Sequence, residues 1–211
     1  MELENNRVSL TGYFSNRFEF SHEKFGEKFY IDELAVERLS GIKDFIPVMA
    51  SDRLFDVTQD YTDCVVNIKG QFRSYDKHEE NRNRLMLSVF ATDIEFLDGY
   101  VVSADNNAIN LGGYICKEPI YRQTPSGREL TDLLVAVNRP YGKSDYIPCI
   151  TWGRNARFVS SLEVGTHIAL DGRIQSREYI KKLDDGQTET RAAYEVSVGR
   201  IEVVEDEENN N

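Results

Sequence analysis

Scarcity narrows the field first. Cysteine occurs three times in 211 residues, at Cys64, Cys116 and Cys149, with no CxxC pair. An odd and widely spaced set offers neither a disulfide framework nor a zinc cluster. The neighbours in DCVVNIKG and PCITW are apolar, which reads as buried thiols. His22, His78 and His167 are far apart with no ligand spacing, so surface roles are expected. No apolar run reaches the length that spans a bilayer, and MELENNR does not resemble a signal peptide. A cytoplasmic protein with no membrane partner is expected. A nucleophile elbow, a phosphate-cradling glycine loop and an HExxH pair are missing too. Neither catalysis nor a metal or cofactor is expected.

Positive charge is also short, with 25 Lys/Arg against 36 Asp/Glu and a net charge of −11. Its distribution matters more than its sum. Residues 1–103 hold 12 basic and 19 acidic side chains, residues 104–201 hold 13 and 12, and the last ten add five carboxylates. Exposed charges are screened beyond about 8 Å at physiological salt. A basic groove in the second half is therefore compatible with an acidic whole.

The chain says one phrase twice: GIKDFIPV from Gly41 and GKSDYIPC from Gly142. Shifted by 101 residues, 5–47 aligns with 106–148 without a gap and matches at 13 positions. These include Asn6/Asn107, Gly12/Gly113, Gly26/Gly127, Arg38/Arg139, Asp44/Asp145 and Pro47/Pro148. After one inserted residue NIKGQFRS faces ALDGRIQS, and RLMLSVFATDIEFLD faces RAAYEVSVGRIEVVE. Duplication of a unit of about 100 residues explains this. Boundaries follow at 1–100 and 104–206, with an acidic, polar tail at 207–211.

Each unit reads mainly as strands. NRVSLTGYF and NAINLGGYI alternate in β fashion around a glycine that suggests a bend or bulge. THIALDGRIQSREYI places Ile168, Leu170 and Ile174 on one face, with Arg173, Gln175, Arg177 and Tyr179 on the other. RNARFVSSLEVG spaces Ala156, Val159 and Leu162 as a short amphipathic helix. Three strands, a helix and two strands give an all-β chain. Two tandem OB-folds are expected, five-stranded Greek-key barrels each with a short helix between strands three and four. Another small barrel, such as an SH3-like one, gives the helix no place.

In the second unit, AINLGGYICKEPIYRQTPSGREL, LLVAVNR, ITWGRNARFV and GTHIALDGRIQSREY together resemble the bacterial single-stranded DNA-binding (SSB) family. The resemblance runs through 106–204 and implies an OB-fold holding single-stranded DNA against aromatic and basic side chains. Tyr141, Tyr146, Trp152 and Tyr179 fall where the family places its stacking rings. Arg122, Arg139, Arg154, Arg173 and Arg177 lie in blocks whose cations line the strand. The resemblance also implies a homodimer, since two barrels per chain doubled makes the family's four, and possible replication or recombination partners. The usual apolar tail tip is missing from EDEENNN. The first unit departs further: Ser51 stands for Trp152 and Lys77 for Tyr179, while Phe45, Lys69, Arg73 and Tyr75 remain as a possible secondary surface.

The residues suit that chemistry. Unpaired bases need flat π-faces, and phosphates need cations; strand alternation puts Tyr146, Pro148, Ile150 and Trp152 on one face. Strand aromatics also build cores and interfaces, so an OB-fold adaptor for proteins stands as the alternative. Single-stranded RNA is a further one.

Overall fold

The structure, a computed structural model, describes residues 5–79, 82–182 and 186–205, with backbone alone at 76–79 and 82–84. The tail expected at 207–211 and the side chain of Lys77 lie outside the described residues. The first unit contributes β1 (Asn6–Phe14), β2 (Glu19–Lys24), β3 (Glu27–Glu37), β4 (Lys43–Ser51), β5 (Val65–Glu79) and β6 (Arg82–Phe96). The second contributes β7 (Asn107–Ile115), β8 (Ile120–Gln123), β9 (Glu129–Arg139), β10 (Lys143–Trp152), the helix α1 (Arg154–Val159), β11 (His167–Lys182) and β12 (Thr188–Val203).

Two rings of strands close, in the orders β1-β5-β6-β4-β3-β1 and β7-β11-β12-β10-β9-β7. Within each, one pair runs parallel (β4 with β6, β10 with β12) and the others antiparallel. This is the OB-fold barrel, present twice. β2 and β8 pair outside the rings as sixth strands, on β3 and β9.

Alternation explains the interiors. Leu10, Leu34, Ile46, Val48 and Phe72 fill the first barrel, and their counterparts Leu111, Val135, Ile147, Cys149 and Ile174 fill the second. Burying each large side chain is worth about 1.5–3 kcal/mol. Closure requires glycine: a Cβ on Gly12 would fall on the carbonyl oxygen of Ala35, and one on Gly113 on that of Ala136.

One expectation needs correction. The second unit has its helix, but in the first residues 52–64 form turns and bends. The cause is local. Asp56 accepts hydrogen bonds from the Thr58 amide (3.0 Å) and hydroxyl (2.7 Å), and Asp60 does the same with Thr62 (3.0 and 2.7 Å). Such side-chain bonds compete with helix formation. Among the described residues no helix is long and apolar enough to cross a membrane.

The barrels are bonded to one another. β1 pairs antiparallel with β7 from Asn6↔Leu111 to Leu10↔Asn107, and Val8 sits opposite its own counterpart, Ile109. That pair marks a pseudo-twofold axis. Flanking it is a reciprocal clamp built from the repeated phrase. Asp145 Oδ1 accepts from the Ser74 amide at 2.7 Å, and Asp44 Oδ1 from the Ser176 amide at 2.8 Å. The serine hydroxyls then accept from the Tyr146 amide (2.8 Å) and the Phe45 amide (3.0 Å). Arg38 grips Asp44 with two hydrogen bonds of 2.6 Å, and Arg139 Nε lies 3.2 Å from Asp145 Oδ2. Both carboxylates are fully buried. Burial lifts the Asp145 carboxyl above its ordinary value, opposed by the Ser74 amide and Arg139.

A third buried carboxyl has no counterpart. Asp32 stands where the second barrel has the core residue Leu133, and its Oδ2 finds no hydrogen-bond partner among the described residues. Burial raises it to about 6, against hydrogen bonds from Glu33 and Asn16 that pull it down. Because the folded value exceeds the unfolded one, ionisation destabilises the fold. That cost is absent below about pH 4 and complete above about pH 6.

Two outcomes are expected. Asp145→Ala, which strands Arg139 and the Ser74 amide, should lower unfolding free energy by about 3 kcal/mol in urea titration. Asp32→Leu should stabilise the protein at pH 7 by about 2 kcal/mol, a gain that shrinks as pH falls from 6 to 4; an equal gain at both ends would refute the assignment.

Candidate nucleic-acid interface

β10 carries most of the expected rings. Asp145, Ile147, Cys149 and Thr151 point inward and are at most 2 % exposed, while Tyr146, Pro148 and Trp152 point outward. Ile150 shares the outward face but is buried. Trp152 ends the strand opposite Leu130 and is half-buried, with the Arg128 guanidinium 4.7 Å from its ring centroid. The hairpin between β8 and β9 brings that cation there through paired hydrogen bonds of Thr124 and Arg128. Tyr146 is 46 % exposed and Tyr179, on β11 opposite Arg191, is 37 % exposed. Tyr141 is wholly exposed in a 3-10 turn at φ 65°, a left-handed backbone that costs a tyrosine energy.

The arginines divide into two groups. Arg154, at the start of α1, and Arg177, on β11 opposite Ala193, are exposed near the rings. Arg122 is exposed and paired with Asp132 at 2.7 Å. By contrast Arg139 belongs to the inter-barrel clamp. Arg173 is half-buried beside Arg38 and Asp44; burial pushes its guanidinium below its usual value, with Arg38 adding to the effect. Arg139 thus sits in the clamp, and Arg173 lines a groove with Val36, Arg38 and Asn107.

The first barrel presents a different surface. Phe45 is 43 % exposed and Tyr75 40 %. Ser51 donates to Glu27, and the Arg73 guanidinium lies 4.0 Å from the Phe90 ring centroid. Lys69 pairs with Asp93 at 3.9 Å and lines a separate groove along β1.

Sequence reasoning missed Arg128 and the Asp–Ser clamp. The first was discoverable from PSGREL, since a hairpin there sets Arg128 beside the strand partner of Trp152. The second was visible as Asp44/Asp145 in the repeated phrase, but its bonds cross between units.

The second barrel also carries the family match. Residues 106–204 fit the model of the single-strand binding protein family. Single-stranded DNA-binding protein 2 of Listeria monocytogenes is 30 % identical over 111 residues, covering 49 % of this chain and 67 % of the relative. The chain belongs to the single-strand binding protein family. Single-stranded DNA-binding protein A of Bacillus subtilis is 36 % identical over 80 residues, 35 % of this chain and 46 % of the relative. The chain spans about half the length of most of these curated family members. The fold extends across both units: wild-type single-stranded DNA binding protein from Thermus aquaticus superposes with a TM-score of 0.76 at 19 % identity, over 95 % of this chain and 93 % of that one.

The Arg128 contact yields a direct test. Arg128→Ala should expose the indole, raising acrylamide quenching of the lone tryptophan and shifting its emission to the red; an unchanged spectrum and quenching would place the guanidinium elsewhere.

Proposed function

We propose that this chain binds single-stranded DNA without strong sequence preference, as a non-catalytic protein of DNA replication, repair or recombination in the cytoplasm. The observation that carries the reading is the outward-facing set of exposed Tyr146 and Tyr179 and half-buried Trp152 in the family-matched barrel, which also carries the exposed Arg154 and Arg177. Bases stack on the rings with little regard to identity, because every base offers a π-face. Arg122, Arg154 and Arg177 answer the phosphates, and Tyr141 offers a further ring at the rim. Arg139 acts indirectly, through its ion pair with Asp145 in the clamp, and Arg173 offers a cation in the groove beside Arg38. The protein-adaptor reading has less support, since the matched relatives are named for single-stranded DNA.

Two chains supply the four barrels of an active assembly, and the open sheet face along β1 and β7 is available for a second copy. Its outward residues, among them Ser9, Ala108 and Asn110, line a groove with Arg7 and Lys69.

Titration with oligo-dT, followed by Trp152 emission, tests the reading. Emission should change on binding, and Trp152→Ala should cost about 1–3 kcal/mol, tenfold or more in affinity. The logarithm of the binding constant should fall linearly with that of salt, by about 0.7 per phosphate neutralised. No binding at low salt by either emission or mobility shift sinks the proposal. Light scattering should give twice the chain mass; a monomer would remove the dimer.

A further inference from the structure

Two grooves flank the pseudo-twofold axis, where the β5–β6 hairpin of one barrel meets the β11–β12 hairpin of the other. One, of about 350 Å³ beside Pro148, is lined by Lys181 and Arg191, the latter ion-paired with Glu189 at 2.6 Å. The other, of about 610 Å³, lies beside Pro47 and is lined by Glu19, Asp32 and Glu33. Ile31 and Leu87 of the first barrel and Tyr194 of the second give it an apolar side. Arg17 is its one cation among the described residues, and the Arg17 guanidinium donates to the Thr58 carbonyl at 3.5 Å. Neither Glu19 nor Glu33 forms an ion pair among the described residues.

Asp32 makes this groove more than an acidic patch. It is 5 % exposed, its Oδ1 accepts from the Glu33 amide at 2.6 Å, and its Oδ2 finds no hydrogen-bond partner among the described residues. With burial raising it to about 6, the carboxyl is mostly ionised at pH 7 and has no countercharge among the described residues. The second barrel closes with Leu133 at the same position, so the barrel itself does not call for a charge there. Among the described residues no three acidic, histidine or cysteine side chains converge to hold a metal ion. The charge is spread along the groove, which suits an extended ligand.

We infer that this groove docks a short basic segment of a partner protein, with an arginine or lysine side chain against Asp32 and Glu33 and an aliphatic neighbour against Ile31 and Leu87. Such docking is independent of single-stranded DNA binding and goes beyond it. Charge complementarity selects the occupant. A carboxylate buried without a partner is costly, and a cation brought to it offsets that cost. The volume is that of a pocket for a small ligand or a few side chains. The chain's own acidic stretch, EDEENNN, bears the wrong sign to fill it, and so does a phosphate backbone.

The full chain is titrated with a fluorescein-labelled Leu-Arg-Leu-Arg-Leu-Arg peptide, and with versions carrying glutamate for arginine or serine for leucine. The proteins are wild type, Asp32→Asn, Glu33→Gln and a remote control, Glu118→Gln, at an exposed position of the second barrel. Wild type should bind the Leu-Arg peptide saturably, the serine version more weakly and the glutamate version not at all. Glu33→Gln should weaken binding about threefold, and Asp32→Asn, which removes the buried charge, about tenfold. Glu118→Gln should leave it unchanged. If Asp32→Asn fails to fold, Glu33→Gln decides. No binding by wild type, equal losses in Glu118→Gln and Glu33→Gln, or wild-type affinity in both groove variants overturns the docking site. A changed chain mass for Glu33→Gln in light scattering would assign the groove to a second copy and overturn it too. Oligo-dT affinity should be no weaker in Glu33→Gln; a fall would put the groove on the path of the strand and sink the assignment.

Discussion

The molecule depends on two carboxylates that each barrel lends to the other. Asp44 and Asp145 are fully buried, and each satisfies a backbone amide across the pseudo-twofold axis. Hydrogen bonds to charged groups contribute about 1.5–3 kcal/mol each, and leaving either partner unpaired costs more than forming the bond gains. The clamp therefore tolerates little displacement. Because Ser74 Oγ also accepts from the Tyr146 amide, the first barrel fixes the strand that carries the rings of the second. Presentation of Tyr146 and Trp152 is thus a property of the pair of barrels, not of one alone.

That dependence explains what the two units share and where they differ. Arg38/Arg139, Asp44/Asp145 and Ser74/Ser176 build the clamp and match; so do Asn6 and Asn107, whose amides bond both backbone groups of Phe72 and Ile174. Positions outside the clamp and the closing glycines are free to part. Ser51 faces Glu27 where Trp152 meets Arg128, and Asp32 occupies a core site held by Leu133. The Asp32 substitution is a local conflict within the barrel, of the kind that lowers stability near neutral pH.

The barrels were legible because alternation and repeated glycines are local signals. THIALDGRIQSREYI placed Ile168, Leu170 and Ile174 inside, and all three are buried. The helix of the first unit was inferred from its relation to the second, and the Asp-x-Thr pairs of 56–62 override it with side-chain bonds that analogy does not carry. The site was half legible. Ring positions follow from strand parity, but whether an arginine faces solvent or a partner barrel depends on contacts more than 60 residues apart in sequence. Arg139 reads as a surface cation because its neighbours along the strand alternate correctly; only the burial of Asp145 against Ser74 of the first unit ties it to the clamp.

Joining the barrels in one chain also changes what symmetry permits. Identical barrels paired about a true twofold axis must present identical grooves, so any acid placed to repel a strand on one side repels it on the other. Here the axis relates Pro47 to Pro148 and Leu87 to Tyr194, yet the described residues lining the two grooves differ, with Lys181 and Arg191 in one and Arg17, Glu19, Asp32 and Glu33 in the other. Fusion lets the clamp keep its symmetry while the surfaces lose theirs. A net charge of −11 is a sum over the whole chain and does not set the charge of any one face. Much of the acid lies on the first unit, where residues 1–103 hold 19 carboxylates and 12 cations, while residues 104–201, which carry Tyr146, Trp152 and Tyr179, hold 12 and 13.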